Sequence, residues 1–100
     1  MTPRRALVAV VALVACSRTE HVVVMKGMAM DPPVLTVKVG DAVVFKNVDI
    51  VPHTATAPDR FDSGPMAPQQ SFRVTLSRPG EVPVQCSLHP TMRARIVVEE

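Results

Sequence analysis

Cysteine, histidine and methionine follow one another at equal steps of three in QCSLHPTM, as Cys86, His89 and Met92. Thiolate, imidazole and thioether are soft or borderline donors, so together they suit copper better than magnesium, calcium or manganese. A trigonal copper site of one thiolate and two imidazoles with a long axial thioether needs a second histidine. Two remain, His21 and His53. His21 lies five residues past Cys16, near the expected start of the exported chain, where mobility is expected. His53 opens the run HTATA directly after Pro52, at a strand start with a constrained approach, and is the better choice. Taken singly, each residue has a plainer role: Cys86 as a small core residue, His89 as a bonded loop histidine, Met92 as apolar filler.

These donors need a frame that brings distant positions together. Apolar residues along the chain alternate with a period of two rather than three or four. In LTVKV, Leu35, Val37 and Val39 share one face; in SFRVTL, Phe72, Val74 and Leu76 do. HVVVMK, AVVFKN, HTATA, EVPVQC and ARIVVE are further β-rich runs, separated by turn formers such as Val39-Gly40-Asp41 and Arg78-Pro79-Gly80. Ten prolines in 100 residues argue against long helices. The pattern predicts one all-β domain, a sandwich of about seven strands. Within EVPVQC, Val82, Val84 and Cys86 share a face while Glu81, Pro83 and Gln85 take the other, so the sulfur faces inward. His89 and Met92 then fall on a short loop before the last strand, and Pro90 keeps that loop out of helix.

The stretch VLTVKVGDAVVFKNVDIVPHTATAPDRFDSG, followed by SFRVTLSRPGEVPVQCSLHPTMRARIVVE, resembles the cupredoxin family, most of all its amicyanin, pseudoazurin and plastocyanin branch. VPHT matches the upstream histidine motif and C-x-x-H-x-x-M the downstream one. The resemblance implies a Greek-key β-sandwich and one type 1 copper ion, with His53, Cys86 and His89 in the plane and Met92 on the axis. It further implies one-electron transfer between Cu(I) and Cu(II), with His89 as the exit. Pro52, Met66, Leu88 and Pro90 would form an apolar collar for transient redox partners.

Some positions depart from the family pattern. Phe45 stands where many relatives have tryptophan, and Val82 and Val84 replace aromatics. Thr54 follows the ligand histidine where asparagine is common; its hydroxyl is expected to tie the two ligand loops together. Pro83 removes a backbone donor from a strand that relatives keep inside a sheet, so either no partner faces it or the ladder breaks there.

Two other functions compete for the same residues. A copper-delivery protein would use the same site without redox cycling, and clustered thioethers such as Met25, Met28 and Met30 can hold Cu(I). The segment KGMAMDPP, however, resembles one whose apolar side chains pack near the site. A copper oxidase or reductase needs more histidines than this chain has, so an enzyme is not expected.

The opening MTPRRALVAVVALVA has a charged start and an apolar run too short to span a bilayer, as in an export signal. Leu13, Val14, Ala15 and Cys16 resemble the bacterial lipobox. This predicts removal of residues 1–15, lipidation and membrane anchoring at Cys16, a short linker over 16–20 and a domain over 21–100. Arg4 and Arg5 leave the general and twin-arginine routes both open. Their removal leaves nine basic residues against nine acidic ones, which gives no footprint for nucleic acid. The expected product is a monomer anchored in the periplasm or another extracytoplasmic space. With Cys16 lipidated, Cys86 has no disulfide partner, and a lone thiol in an oxidising compartment needs an occupant such as a metal.

Overall fold

The computed structural model describes residues 18–100. The expected leader and the Cys16 anchor lie outside the described residues, as does the first part of the expected linker. Nine strands follow: β1 (Glu20–Lys26), β2 (Ala29–Asp31), β3 (Val34–Lys38), β4 (Ala42–Asn47), β5 (Thr56–Ala57), β6 (Phe61–Asp62), β7 (Ser71–Thr75), β8 (Gly80–Gln85) and β9 (Arg93–Glu99). They form two sheets, ordered β2-β1-β4-β7 and β3-β9-β8-β5-β6. β1 runs parallel to β4 with Val23 opposite Phe45, and β3 runs parallel to β9 with Val37 opposite Val98. Parallel neighbours cannot be joined by a hairpin, so the chain crosses between the sheets and closes a Greek-key sandwich.

Alternation decides which side chains fill it. Val37 is buried between exposed Thr36 and Lys38; Val82 and Val84 are buried while Glu81 and Pro83 face water. Val23, Met25, Val43 and Phe45 of one sheet meet Val37, Val82, Val84, Ile96 and Val98 of the other in a single core. Phe45 packs against Phe61 at a centroid distance of 5.8 Å, and Phe61 reaches Phe72 at 6.0 Å. With interplanar angles of 43° and 39°, the rings are tilted away from the face-to-face sandwich that aromatic quadrupoles disfavour. Gly40 turns the chain from β3 into β4 with a φ of +93°, which a side chain would strain.

Several expectations change. HTATA is strand only over Thr56 and Ala57, with His53 in an isolated bridge to Met66. The N–H of Thr54 goes to the Cys86 sulfur and that of Ala55 to Ser63 Oγ, so these donors are not available to a ladder. β2 and β6, of three and two residues, are too short to show alternation in the sequence. His21, expected near a mobile end of the chain, lies in β1, and its Nε2 is 2.9 Å from Asp41 Oδ2. Just ahead of β1, the Thr19 N–H donates to Asp41 Oδ1 and the Thr19 carbonyl accepts the Ala42 N–H, both at 3.0 Å. Met25 and Met30 pair across β1 and β2 and are buried in the core, while Met28 is exposed in the turn between them, so these thioethers form packing rather than a cluster.

Pro83 does not break its ladder. The Cys86 N–H donates to the Met92 carbonyl at 3.0 Å, in the register that pairs Val84 with Ala94. Backbone groups alternate sides along a strand, so Val84 and Cys86 face β9 whereas Pro83 and Gln85 face away. Gln85 meets Thr56 of β5 there, and beyond it Pro83 borders an open groove with Ala57, Pro58 and Arg60. Its missing N–H has no partner to lose.

Candidate metal centre

The centre is assembled from two loops at one end of the sandwich. One runs from the end of β4 to β5 and carries His53; the other joins β8 to β9 and carries Cys86, His89 and Met92. The second loop closes on itself at its base, because the Cys86 N–H donates to Met92 O at 3.0 Å and the Met92 N–H to His89 O at 2.9 Å. Cys86 and Met92 are thereby opposite each other, both buried, with His89 projected between them and half-buried. The first loop is held by Asn47, whose amide donates to Val51 O at 2.9 Å and Met66 O at 3.0 Å. Its oxygen accepts the Asp49 N–H at 2.9 Å, so a fully buried amide uses both ends to shape the turn.

Three donor atoms converge. His53 Nδ1 lies 3.3 Å from His89 Nδ1 and 3.9 Å from Cys86 Sγ, and His89 Nδ1 lies 3.8 Å from the same sulfur. A point equidistant from them is about 2.1 Å from each, against metal–nitrogen and metal–sulfur bonds of ~2.0–2.3 Å. His53, Cys86 and His89 thus form a group able to hold one ion. Met92 is buried and bonded through its backbone to both Cys86 and His89, which puts a thioether on the same loop. His21, the other histidine considered, belongs to a different end of the sheet.

The surroundings fix the imidazoles. His53 Nε2 is 2.7 Å from Asp49 Oδ2, and because a carboxylate only accepts, the ring proton sits on Nε2 and the Nδ1 lone pair faces the sulfur. Asp49 also accepts the N–H groups of Gly27 at 2.7 Å and Met28 at 3.1 Å. The His53 hydrogen bond, followed by these backbone donors, holds the Asp49 carboxyl below the usual carboxylate range. Lone pairs aimed at one point repel unless a cation lies between them, so the donor set, its distances and its orientation all fit a soft metal ion. The Thr54 N–H donates to Cys86 Sγ at 3.3 Å, and Thr54 Oγ1 accepts the Ser87 N–H at 2.8 Å, tying the two ligand loops together.

Exposure separates the two histidines. His53 is fully buried, whereas His89 Nε2 makes no hydrogen bond among the described residues and no buried polar side-chain atom lacks one, so this nitrogen reaches solvent. Around it Pro52, Leu88 and Pro90 are exposed. Met66 does not join that collar: at 3 % exposure it lies in the core, bonded through its backbone to His53. Ile50, 93 % exposed on the loop of Pro52, was not anticipated. Nor were Asp49 and Asn47; their only sequence signal was a cluster of turn formers, N-V-D, just ahead of VPHT.

No protein-family model matches the chain. Amicyanin of Paracoccus denitrificans is 33% identical over 78 residues, which are 72% of this chain and 60% of that protein. The chain spans 55% and 60% of the length of the two Paracoccus amicyanins it matches. Among solved structures, the Cu(I) form of an amicyanin methionine-to-alanine variant superposes with a TM-score of 0.76 at 30% identity, covering 80% of this chain and 82% of that one. The copper-containing nitrite reductase of Thermus scotoductus also superposes at 0.76 and 30% identity, but over 22% of its own chain. Two sheets in this order, a histidine–cysteine–histidine triangle at one end and a relative that matches at both sequence and structure lead to one conclusion: the chain belongs to the cupredoxin family, among its amicyanin-like members.

Proposed function

We propose that the protein is a one-electron carrier in which His53 Nδ1, Cys86 Sγ and His89 Nδ1 would hold a single type 1 copper ion, with Met92 contributing its thioether as the fourth donor. The observation that carries this reading is the donor triangle of 3.3, 3.8 and 3.9 Å, whose corners are fixed by separate backbone and carboxylate contacts. When bound, copper supplies the Cu(I)/Cu(II) couple. The chain supplies a geometry that does not have to change with oxidation state: Asp49 locks the His53 ring, Cys86 and Met92 are pinned by one backbone bond, and Thr54 joins the two loops. The Thr54 N–H on the sulfur stabilises its negative charge and so tunes the potential.

His89, the one of these donors whose ring reaches solvent, would give the electron its path to a partner. Pro52, Leu88 and Pro90, extended by Ile50, give a small uncharged surface suited to brief encounters with redox proteins. The reading includes export through residues 1–15, a lipid anchor on Cys16 and a monomer working outside the cytoplasm. It includes no enzymatic step; the nitrite reductase likeness covers a domain of that enzyme, not its whole chain.

Titration of the purified protein with Cu(II) tests the proposal. The expected result is one equivalent bound, an intense visible thiolate-to-copper band, an EPR spectrum with narrow hyperfine splitting, and reversible one-electron reduction. A colourless protein that binds only Cu(I) would instead identify a delivery protein.

A further inference from the structure

Beside the sulfur, a row of hydroxyl groups leads away from the centre to the β5–β6 hairpin. Ser87 Oγ lies 3.1 Å from Thr54 Oγ1, which lies 2.9 Å from Thr56 Oγ1, which lies 3.0 Å from Asp62 Oδ1. A hydroxyl has one hydrogen and two lone pairs, whereas a carboxylate only accepts. Thr56 therefore gives its hydrogen to Asp62 and can only accept from Thr54. Thr54, its hydrogen spent on Thr56, accepts both the Ser87 O–H and the Ser87 N–H at 2.8 Å. Every capacity of the Thr54 hydroxyl is then filled, as its 2 % exposure demands. Reversing a link would leave two oxygens facing each other with no hydrogen between them, at Thr54–Thr56 or at Thr56–Asp62. The direction of the whole row is thus set at its far end, by Asp62.

Asp62 is itself held. The Gly64 N–H donates to the same oxygen at 2.9 Å, and the neighbouring Ser63 is docked on Ala55 by two bonds, Ala55 N–H to Ser63 Oγ at 2.8 Å and Ser63 N–H to Ala55 O at 3.0 Å. From these contacts we infer that Thr56 and Asp62 are positioning residues for the metal centre, acting through Thr54. They orient the Thr54 hydroxyl so that it grips Ser87, and this fixes the adjacent Cys86 sulfur against the Thr54 N–H and the loop of His53. The spectroscopic consequence rests on the copper reading; the hydrogen-bond consequence does not.

The experiment compares Thr56→Val, Thr56→Ser, Asp62→Asn and the Thr56→Val/Asp62→Asn double variant, all in the full-length protein. Valine keeps the shape of threonine without the hydroxyl, serine keeps the hydroxyl, and Asp62 is exposed, so all four are expected to fold. In the metal-free protein, NMR hydrogen exchange at the Ser87 amide is expected to quicken by roughly 3–10-fold in Thr56→Val and less in Asp62→Asn, with Thr56→Ser restoring wild-type protection. The double variant is expected to match Thr56→Val alone, because loss of the Thr56 hydroxyl already breaks the row between Asp62 and Ser87. In the Cu(II)-loaded protein, the visible band and the EPR hyperfine splitting are expected to shift in Thr56→Val and return in Thr56→Ser. Wild-type exchange at Ser87 in Thr56→Val, or additive effects in the double variant, would overturn the inference. A protein that takes up no copper would overturn the proposed function alone, since exchange at Ser87 still decides the positioning role.

Discussion

Asp41 and Asp49 bracket strand β4, and each is built in the same way. Asp41 accepts the N–H groups of Thr19 and Lys38, both at 3.0 Å, and faces His21 Nε2 at 2.9 Å; Asp49 accepts those of Gly27 and Met28 and faces His53 Nε2 at 2.7 Å. The two pairs differ in what lies beyond the imidazole. The His21 side chain is 22% exposed and its Nδ1 has no partner among the described residues, while His53 is fully buried with its Nδ1 aimed at a sulfur and a second imidazole. A carboxylate that orients a histidine is therefore a building unit with two uses. At the start of β4 it staples the incoming chain to the sheet; at the end of β4 it aims a donor nitrogen at the sulfur and the second imidazole.

That comparison can be broken most completely at Cys86. Cys86→Ser leaves both carboxylate–histidine pairs intact but removes the soft donor, and the expected outcome is total loss of the visible charge-transfer band with an unchanged far-UV CD spectrum. A serine variant that stays coloured would refute the ligand assignment. Next in size is Asp49→Asn. An amide offers one acceptor oxygen where the carboxylate offers two, so His53 loses its fixed orientation, and metal affinity measured by competition with a chelator is expected to fall by ~10–100-fold. Equal affinities would mean that the two pairs are equivalent after all.

Asp41→Asn is expected to leave the copper spectrum alone and to lower thermal stability. The Lys38 N–H, the His21 hydrogen bond and the Thr19 N–H hold the Asp41 carboxyl at about 2, below its ordinary 3.8. Because the folded state favours the ionised form, Asp41 stabilises the protein above pH 3.8, and this contribution is lost as pH falls from 3.8 to about 2. Melting temperatures across that window should decline less steeply in Asp41→Asn than in the wild type. The smallest effect is expected for His21→Gln. A partly exposed pair contributes little, so the melting temperature should drop by less than about 5 °C at neutral pH with copper affinity unchanged. A loss of copper affinity there would show that the staple also serves the centre.

The sandwich was legible wherever strands were long enough to alternate. β3, β7, β8 and β9 announce their inner faces through Val37, Val74, Val84 and Ile96, since successive side chains of an extended chain must point to opposite sides. β2 and β6 were not legible, because two or three residues carry no period. At the centre, spacing alone marked Cys86, His89 and Met92, and Pro52 singled out His53. Asp49, Asn47, Thr56 and Asp62 escaped notice because acidic and hydroxyl residues in turns are common. Their partners sit on other loops: Asp49 reaches Gly27 and Met28 more than twenty residues upstream, and Thr54 reaches Ser87 across thirty-three.

By itself, the chain determined which donors exist and which face of each strand turns inward, because donor chemistry belongs to the residue and the two-residue period belongs to the local backbone. Only the tertiary structure decided that the nitrogens of His53 and His89 meet the sulfur of Cys86, which carboxylate aims a donor nitrogen and which one staples the start of β1, and why Pro83 disturbs nothing. Those outcomes depend on how two sheets stack and where their loops come to rest, and no single stretch of sequence contains that distance.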